Sequence, residues 1–239
     1  MAGVADNPDD CAGPGAAGRP YRAPMARAPD VLVARAAVVA GPERPAVIGL
    51  CGPVGSGKSH LAGLLAQRFS AVRLSTDDYL PDYHATPEHL RDEPDRADLP
   101  RLLANLTDLR QGRPTVAPVW CFHAHARVGE RAVQPPPPEA APRLVVVEGI
   151  HALHASLRGV LDVKVVLTAP ASVRWARWEH LEATGQRGWG VAVAHAFFHA
   201  VAEPVFSRHA HGPGGYLAVA DVVVDNSDFV PPPSGVSQG

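Results

Sequence analysis

The sequence predicts an α/β fold: a mostly parallel sheet of about five strands with helices on its faces. Short, largely apolar runs at 46–51, 71–74, 144–147, 163–167 and 221–224 do not alternate in polarity, as expected of strands buried on both faces. Segments with helical spacing lie between them. A glycine-rich loop, 52–59, joins the first run to the first clear helix.

Residues 1–29 hold eight alanines, five prolines and four glycines, which offer little surface to bury, and they read as a flexible arm ahead of a domain at 30–228. Residues 31–40 read as a short helix or strand leading in, and 41–45 as a turn-rich linker. After the loop, Leu61, Leu64, Leu65 and Phe69 fall on one helical face. A polar segment running to Asp92 follows the second strand. A further helix has Asp98 to cap it, Pro100 in its first turn, a stripe of Leu99, Leu102, Leu103, Leu106 and Leu109, and Gly112 to stop it. Residues 135–138 are a polyproline spacer, 229–239 read as a disordered tail, and no internal repeat is visible.

Composition excludes several classes. Lys plus Arg number 22 and Asp plus Glu 24, a net charge of −2, so a basic coat for nucleic acid is ruled out, as is broad attraction to an anionic membrane. The best apolar stretch, 31–40, is interrupted by Arg35 and falls well short of the roughly 18 residues a span requires. Asp6, Asp9 and Asp10 stand where a secretory signal would be basic and then apolar. Cys11, Cys51 and Cys121 are too few and too scattered for a disulfide framework and suit a reducing, cytoplasmic setting. A cytoplasmic protein without nucleic-acid or membrane partners is expected, and nothing in the sequence speaks against a homo-oligomer.

The chemistry begins at Gly52-Pro53-Val54-Gly55-Ser56-Gly57-Lys58-Ser59, a full match to G-x-x-x-x-G-K-[ST] between strand and helix, with His60 next in the helix. In such a loop the backbone N–H groups turn inward around phosphate oxygens, and the helix N-terminus adds partial positive charge. Lys58 would reach the β- and γ-phosphates and Ser59 would offer an oxygen to a metal, so ATP and Mg²⁺ are expected. Glu148 ends an apolar strand, where a carboxylate either helps hold that metal or lies at the surface. Asp77 and Asp78 follow the second strand, at the edge where open α/β sheets bind ligands, and one of them is placed to accept a hydroxyl proton. The pairs His123/His125, His151/His154 and His209/His211 lack the third and fourth ligands of a zinc site and read as ordinary histidines. Trp175, Trp178 and Trp189 read as core or interface anchors, Cys51 as a buried apolar residue and Cys121 as pocket wall.

Taken together, these residues resemble the uridine-cytidine kinases, within the wider group that includes phosphoribulokinase and bacterial pantothenate kinase. The likeness runs from 47 to 226. It rests on the phosphate loop, Ser75-Thr76-Asp77-Asp78-Tyr79, Asp92-Glu93-Pro94-Asp95 with Asp98, and the leucine-rich helix ending Gly112-Arg113-Pro114. Pro118-Val119-Trp120-Cys121-Phe122-His123-Ala124-His125-Ala126-Arg127, Glu148-Gly149-Ile150 and Ala220-Asp221-Val222-Val223-Val224 complete it. The resemblance implies a P-loop kinase fold with a helical lid at about 172–190. It implies Asp77 as general base, Asp92 as the grip on a ribose, and Trp120 and His125 as contacts to the acceptor base, with Tyr79 and Arg127 also at the acceptor. Lys58, Arg177 and Arg187 would surround the moving phosphate, with Ser59 and Glu148 at the metal.

Two departures stand out. Trp120-Cys121 replaces the family's Tyr-Asp, and the lid keeps Arg174, Arg177 and Arg187 but carries Trp178, Leu181, Glu182, one extra residue and Trp189 where three further cations are expected. The resemblance implies an ATP-dependent phosphotransferase acting on a hydroxyl of a small acceptor, a nucleoside 5′-hydroxyl first. Another small alcohol or sugar metabolite, or a nucleotide-binding regulatory role with weak transfer, stays open.

Overall fold

The structure, a computed structural model, describes residues 20–41 and 44–228. The segments 1–19 and 230–239, with most of the expected arm and tail, lie outside the described residues, as does residue 229. The chain runs β1 (Tyr21–Pro24), α1 (Ala28–Val39), β2 (Ala46–Cys51), α2 (Lys58–Phe69), β3 (Val72–Ser75), α3 (Leu99–Arg110), β4 (Thr115–Cys121) and β5 (Ala126–Val133). It continues with β6 (Leu144–Gly149), β7 (Val163–Thr168), α4 (Ala171–Ala183), α5 (Val191–Phe197), α6 (Glu203–Ala210), α7 (Tyr216–Val219) and β8 (Val222–Asp225).

Six strands form the main sheet in the order β1-β8-β7-β2-β6-β3, and every neighbouring pair is parallel. Side chains alternate across it. Ile48 and Leu50 face one layer with Leu32 of α1 and Leu61 and Leu65 of α2, while Val47 and Val145 face the other with the leucine stripe of α3 and Phe206 and Tyr216. Strands covered on both faces have no solvent side, which is why their runs do not alternate in the sequence. Asp98 caps α3 by accepting the Arg101 amide.

The sixth strand corrects the expected arm. Residues 21–24 pair with β8, Ala23 and Ala28 are buried, and the helix that follows starts at residue 28. A four-residue edge strand containing an arginine and a proline carries too little pattern to be read alone; its place comes from the strand it joins. The other element absent from the sequence reading is the antiparallel pair β4 and β5, whose register shifts between Val119 and Trp120. That irregularity re-aims Trp120, whose amide donates to Asp78 Oδ1 at 3.1 Å. A third apolar cluster, built from Tyr83, Trp120, Trp178, Phe197 and Phe198, joins α4 and α5 to β4 and the turn after β3. Among the described residues no helix is long and apolar enough to cross a membrane.

Leu32 is wholly buried, so Leu32→Ala is expected to cost about 3 kcal/mol of stability, read from the urea midpoint. Val38→Ala, on the exposed side of α1, should change stability by less than about 0.5 kcal/mol. Equal effects would show that α1 does not belong to the core.

Candidate active site

β2, β3 and β6 end side by side, and their carboxyl ends open into one cavity of about 640 Å³. β2 runs into the phosphate loop, which turns at Gly55 (φ 75°) and Gly57 (φ 95°). A Cβ on Gly55 would lie 2.3 Å from the Arg174 carbonyl oxygen, so only glycine lets this loop pass under α4. Asn226, just after β8, donates to the Ser56 carbonyl oxygen at 2.9 Å and ties the loop to the far strand. Lys58 heads α2, is buried, and folds its Nζ onto the Pro53 carbonyl oxygen at 2.9 Å. The Ser56 hydroxyl is buried without a partner.

Ser59 donates to Glu148 at 3.1 Å, and Arg73 lies 3.6 Å from the same carboxylate. A hydroxyl and a carboxylate meeting beside a glycine cradle form the oxygen set a magnesium ion takes, and the cradle itself fits a polyphosphate. Burial raises the Glu148 carboxyl above its ordinary value, with Asp77 adding to the rise and Lys58 and Arg73 opposing it. Asp77 stands in the turn after β3. Burial raises its carboxyl too, against the pull of Arg187 and Lys58. Burial lowers the Lys58 ammonium, while Glu148 and Asp77 favour its charge.

At the far end of the cavity Asp92 is buried and accepts the Tyr83 hydroxyl at 2.6 Å. Burial pushes its carboxyl up to about 6. His125 has φ 48° and its Nε2 is buried without a partner; its ring stacks on Tyr83 at 6.2 Å and meets Trp189 at a tilt of 37°, 4.8 Å away. Trp120, Phe122, Trp178 and Phe197 complete an aromatic wall. Arg187 hangs over the Phe122 ring, 3.3 Å from its centre, with Asp77 the first of the charges favouring its cation.

Of the residues singled out in the sequence, Val54, Gly55, Gly57, Lys58, Ser59, His60, Asp77, Asp92, Trp120, His125, Glu148, Arg177 and Arg187 line this cavity. Gly52, Pro53 and Ser56 form the loop behind it. Tyr79 and Arg127 are not brought to it. Tyr79 is fully buried with its hydroxyl donating to Asn105 at 2.7 Å, because the turn at 76–79 points it into the core under α3. Arg127 donates instead to the carbonyl oxygens of Tyr79 and Leu80, at 2.6 and 2.9 Å, locking that turn to β5. Cys121 is not pocket wall: its sulfur faces the Ala124 amide in the hairpin turn. Arg177 reaches the cavity, yet its donors go to the carbonyl oxygens of Gly55 and Asn226, so it braces the loop.

The sequence reading missed Tyr83, Trp178, Trp189, Phe197, Asn226 and Met25 as cavity residues, the last from the segment expected to be an arm. One signal was available. Trp178 and Glu182 are four apart on a helix, and the indole donates to that carboxylate at 3.0 Å while Glu182 also accepts the Trp189 and Gly190 amides.

Strand, glycine cradle and helix, set at the carboxyl end of a parallel sheet with Glu148 at the end of the neighbouring strand β6 and Asp77 in the turn after β3 beyond it, define the class: a P-loop nucleotide-binding α/β protein of the kinase type. The sequence model of the Phosphoribulokinase / Uridine kinase family matches residues 47–191, more than half of the chain. The chain belongs to that family. Uridine kinase of Lactobacillus helveticus is 30% identical over 145 residues, covering 56% of this chain and 66% of that protein. Uridine-cytidine kinase C of Dictyostelium discoideum is 31% identical over 123 residues, 51% of this chain and 26% of that one. Inorganic pyrophosphatase TTM2 of Arabidopsis thaliana is 33% identical over 122 residues, 51% of this chain and 18% of that one. The chain thus spans less than two thirds of the length of each of these relatives. Among solved structures, a protein from Silicibacter sp. TM1040 described as a fructose transport system kinase superposes with a TM-score of 0.63 at 20% identity, covering 84% of this chain and 98% of that one. D-glycerate 3-kinase from Cryptococcus neoformans does so at 0.53 and 17%, covering 84% and 95%. These two share the fold.

Asp92 holds its proton up to about pH 6 in the folded protein, against 3.8 for an ordinary aspartate. Stability therefore falls as pH rises through that window, and the penalty is complete above it. Asp92→Asn is expected to stabilise the protein by up to about 3 kcal/mol at pH 8, with the gain vanishing below about pH 4 in unfolding titrations. A gain that grows on acidification would reverse the assignment.

Proposed function

We propose that the protein is an ATP-dependent phosphotransferase that moves the γ-phosphate to a hydroxyl of a small acceptor, with a nucleoside 5′-hydroxyl as the leading acceptor class. The observation that carries the proposal is the location of Asp77, a half-buried acid in the fields of Lys58 and Arg187, where the phosphate loop meets the aromatic chamber of Asp92 and His125. On this reading the acceptor hydroxyl gives its proton to the Asp77 carboxylate. Its oxygen bonds to the γ-phosphorus, and the bond from that phosphorus to the β–γ bridging oxygen breaks to release ADP. Burial raises the Asp77 carboxyl and so strengthens it as a base, while Arg187 and Lys58 oppose the rise. Lys58 and Arg187 also oppose the charge that spreads over the phosphoryl oxygens. Magnesium, held by Ser59 and Glu148, would neutralise the β- and γ-phosphate oxygens when bound.

The far chamber supports an uncharged acceptor bearing a flat ring. Asp92 offers a carboxylate for sugar hydroxyls, the free His125 Nε2 offers one polar contact, and the walls are aromatic. A sugar phosphate or hydroxy acid would bring its negative charge beside Asp77, Asp92 and Glu182. The test is ADP release over a panel of nucleosides, sugars, sugar phosphates and hydroxy acids. Release with no nucleoside but with a non-nucleoside alcohol would remove the nucleoside part; release with none would remove the phosphotransferase reading.

Lys58→Ala is expected to abolish measurable transfer, a loss of about 3 to 4 kcal/mol in the barrier, with the fold retained. Asp77→Asn should lower kcat by roughly two to four orders of magnitude at unchanged ATP affinity. Asp78→Asn keeps an oxygen for the Trp120 amide and should do far less; the reverse order would move the base to Asp78. Trp120→Ala should raise the acceptor KM and leave the KM for ATP alone, and equal effects on both would take Trp120 out of the acceptor site.

A further inference from the structure

The phosphate end and the acceptor end of the site are joined by four residues of chain. β6 delivers Glu148 to Ser59, and the turn after it delivers His151, whose ring is wholly buried. His151 Nε2 lies 2.5 Å from the Asp92 carbonyl oxygen, and Nδ1 lies 3.1 Å from the Tyr216 hydroxyl. A carbonyl oxygen only accepts, so Nε2 carries the hydrogen and donates it. Nδ1 is then the acceptor, and Tyr216 donates to it. His209 meets the His151 ring edge-on at 5.9 Å, stacks on Tyr216 at 6.2 Å and pairs with Glu93 at 3.2 Å. Burial, helped by His209 and His154 and opposed by the Asp92 carbonyl and Glu93, holds the ring's pKa down to about 4. The imidazole is therefore neutral around pH 7, and one tautomer satisfies both neighbours. Asp92 is gripped twice: its main chain by His151 and its carboxylate by the Tyr83 hydroxyl.

We propose that His151, fixed by Tyr216 in its Nε2–H tautomer, is a positioning residue for Asp92, and that the 148–151 segment thereby ties acceptor placement to the carboxylate at the phosphate end. This rests on reading Asp92 as an acceptor contact. It gives a use to a histidine that neither the phosphate loop nor the acceptor wall employs.

The experiment uses the full chain and the best acceptor from the panel. In His151→Phe the acceptor KM is expected to rise about tenfold, the scale of one lost hydrogen bond, with the KM for ATP within about twofold of wild type. His151→Gln, which can set an amide N–H where Nε2 stood, should recover most of the loss. Tyr216→Phe frees the ring to present its other tautomer and should fall between them. Hydrogen–deuterium exchange of the Asp92, Glu93, Asp95 and Arg96 amides supplies a readout that needs no turnover: faster in His151→Phe, near wild type in His151→Gln. If His151→Phe does not fold, Tyr216→Phe and His151→Gln carry the comparison. Acceptor and ATP KM rising together without rescue by Gln, or exchange indifferent to both substitutions, overturns the proposal. If the wild type transfers phosphate to nothing in the panel, the phosphotransferase reading falls on its own, and the exchange comparison still decides the role of His151.

Discussion

Lys58, Asp77 and Glu148 line one cavity at the ends of β2, β3 and β6, and the charge balance among them constrains what surrounds them. Two carboxylates out of water repel one another and resist ionisation, and a single ammonium between them offsets part of that cost. Arg73 approaches Glu148 from the edge strand and Arg187 approaches Asp77 from the lid, so each acid has a second cation of its own. The parallel sheet makes this economical in backbone. Three adjacent strands that run the same way bring three side chains to one place with no long loop needed to carry them.

The segment 172–190, where the resemblance implies a cation-rich lid, is built on a different principle. Arg174 lies in a bidentate pair with Glu203 and Arg177 donates to the carbonyl oxygens of Gly55 and Asn226, so these two stiffen the frame. Glu182 then gathers the Trp178 indole and two backbone amides of the turn, which holds the Trp178 and Trp189 rings together 6.1 Å apart over the cavity. On the phosphotransferase reading, positive charge at the moving phosphate comes down to Lys58 and Arg187, and the lid's larger contribution is to exclude water from the acceptor chamber.

Legibility followed locality. The phosphate loop, Asp77 and Glu148 could be placed because each sits next to a strand whose apolar run is unmistakable, and chain neighbours of a strand end are spatial neighbours of the site. Tyr79 lies in a motif, but a turn of four residues decides which way each side chain points, and Tyr79 points inward while Asp77 points to the cavity. Arg127 is likewise beside a cavity residue in sequence and hydrogen-bonded behind it in space. The aromatic chamber was invisible for the opposite reason. Tyr83, Trp178, Trp189 and Phe197 come from separate segments with no shared periodicity, and only the packing of the lid on the hairpin, with Gly188 against His123, brings them together. β1 was lost because four residues at a sheet edge carry almost no pattern of their own.

The distribution of unsatisfied groups separates site from scaffold without appeal to motifs. Among the described residues, five buried side-chain atoms lack a hydrogen-bond partner: Ser56 Oγ, Arg73 Nε, Thr76 Oγ1, His125 Nε2 and His180 Nδ1. A buried polar atom left unpaired costs about 1 to 3 kcal/mol, so a fold shaped by stability alone would have few and would scatter them. Here Ser56 is in the phosphate loop, Thr76 precedes Asp77, Arg73 flanks Glu148, and His125 and His180 line the cavity. The large core on either side of the sheet contributes none. Among the described residues these unpaired side-chain atoms therefore gather in and beside the cavity, as expected where the missing partners belong to molecules that come and go.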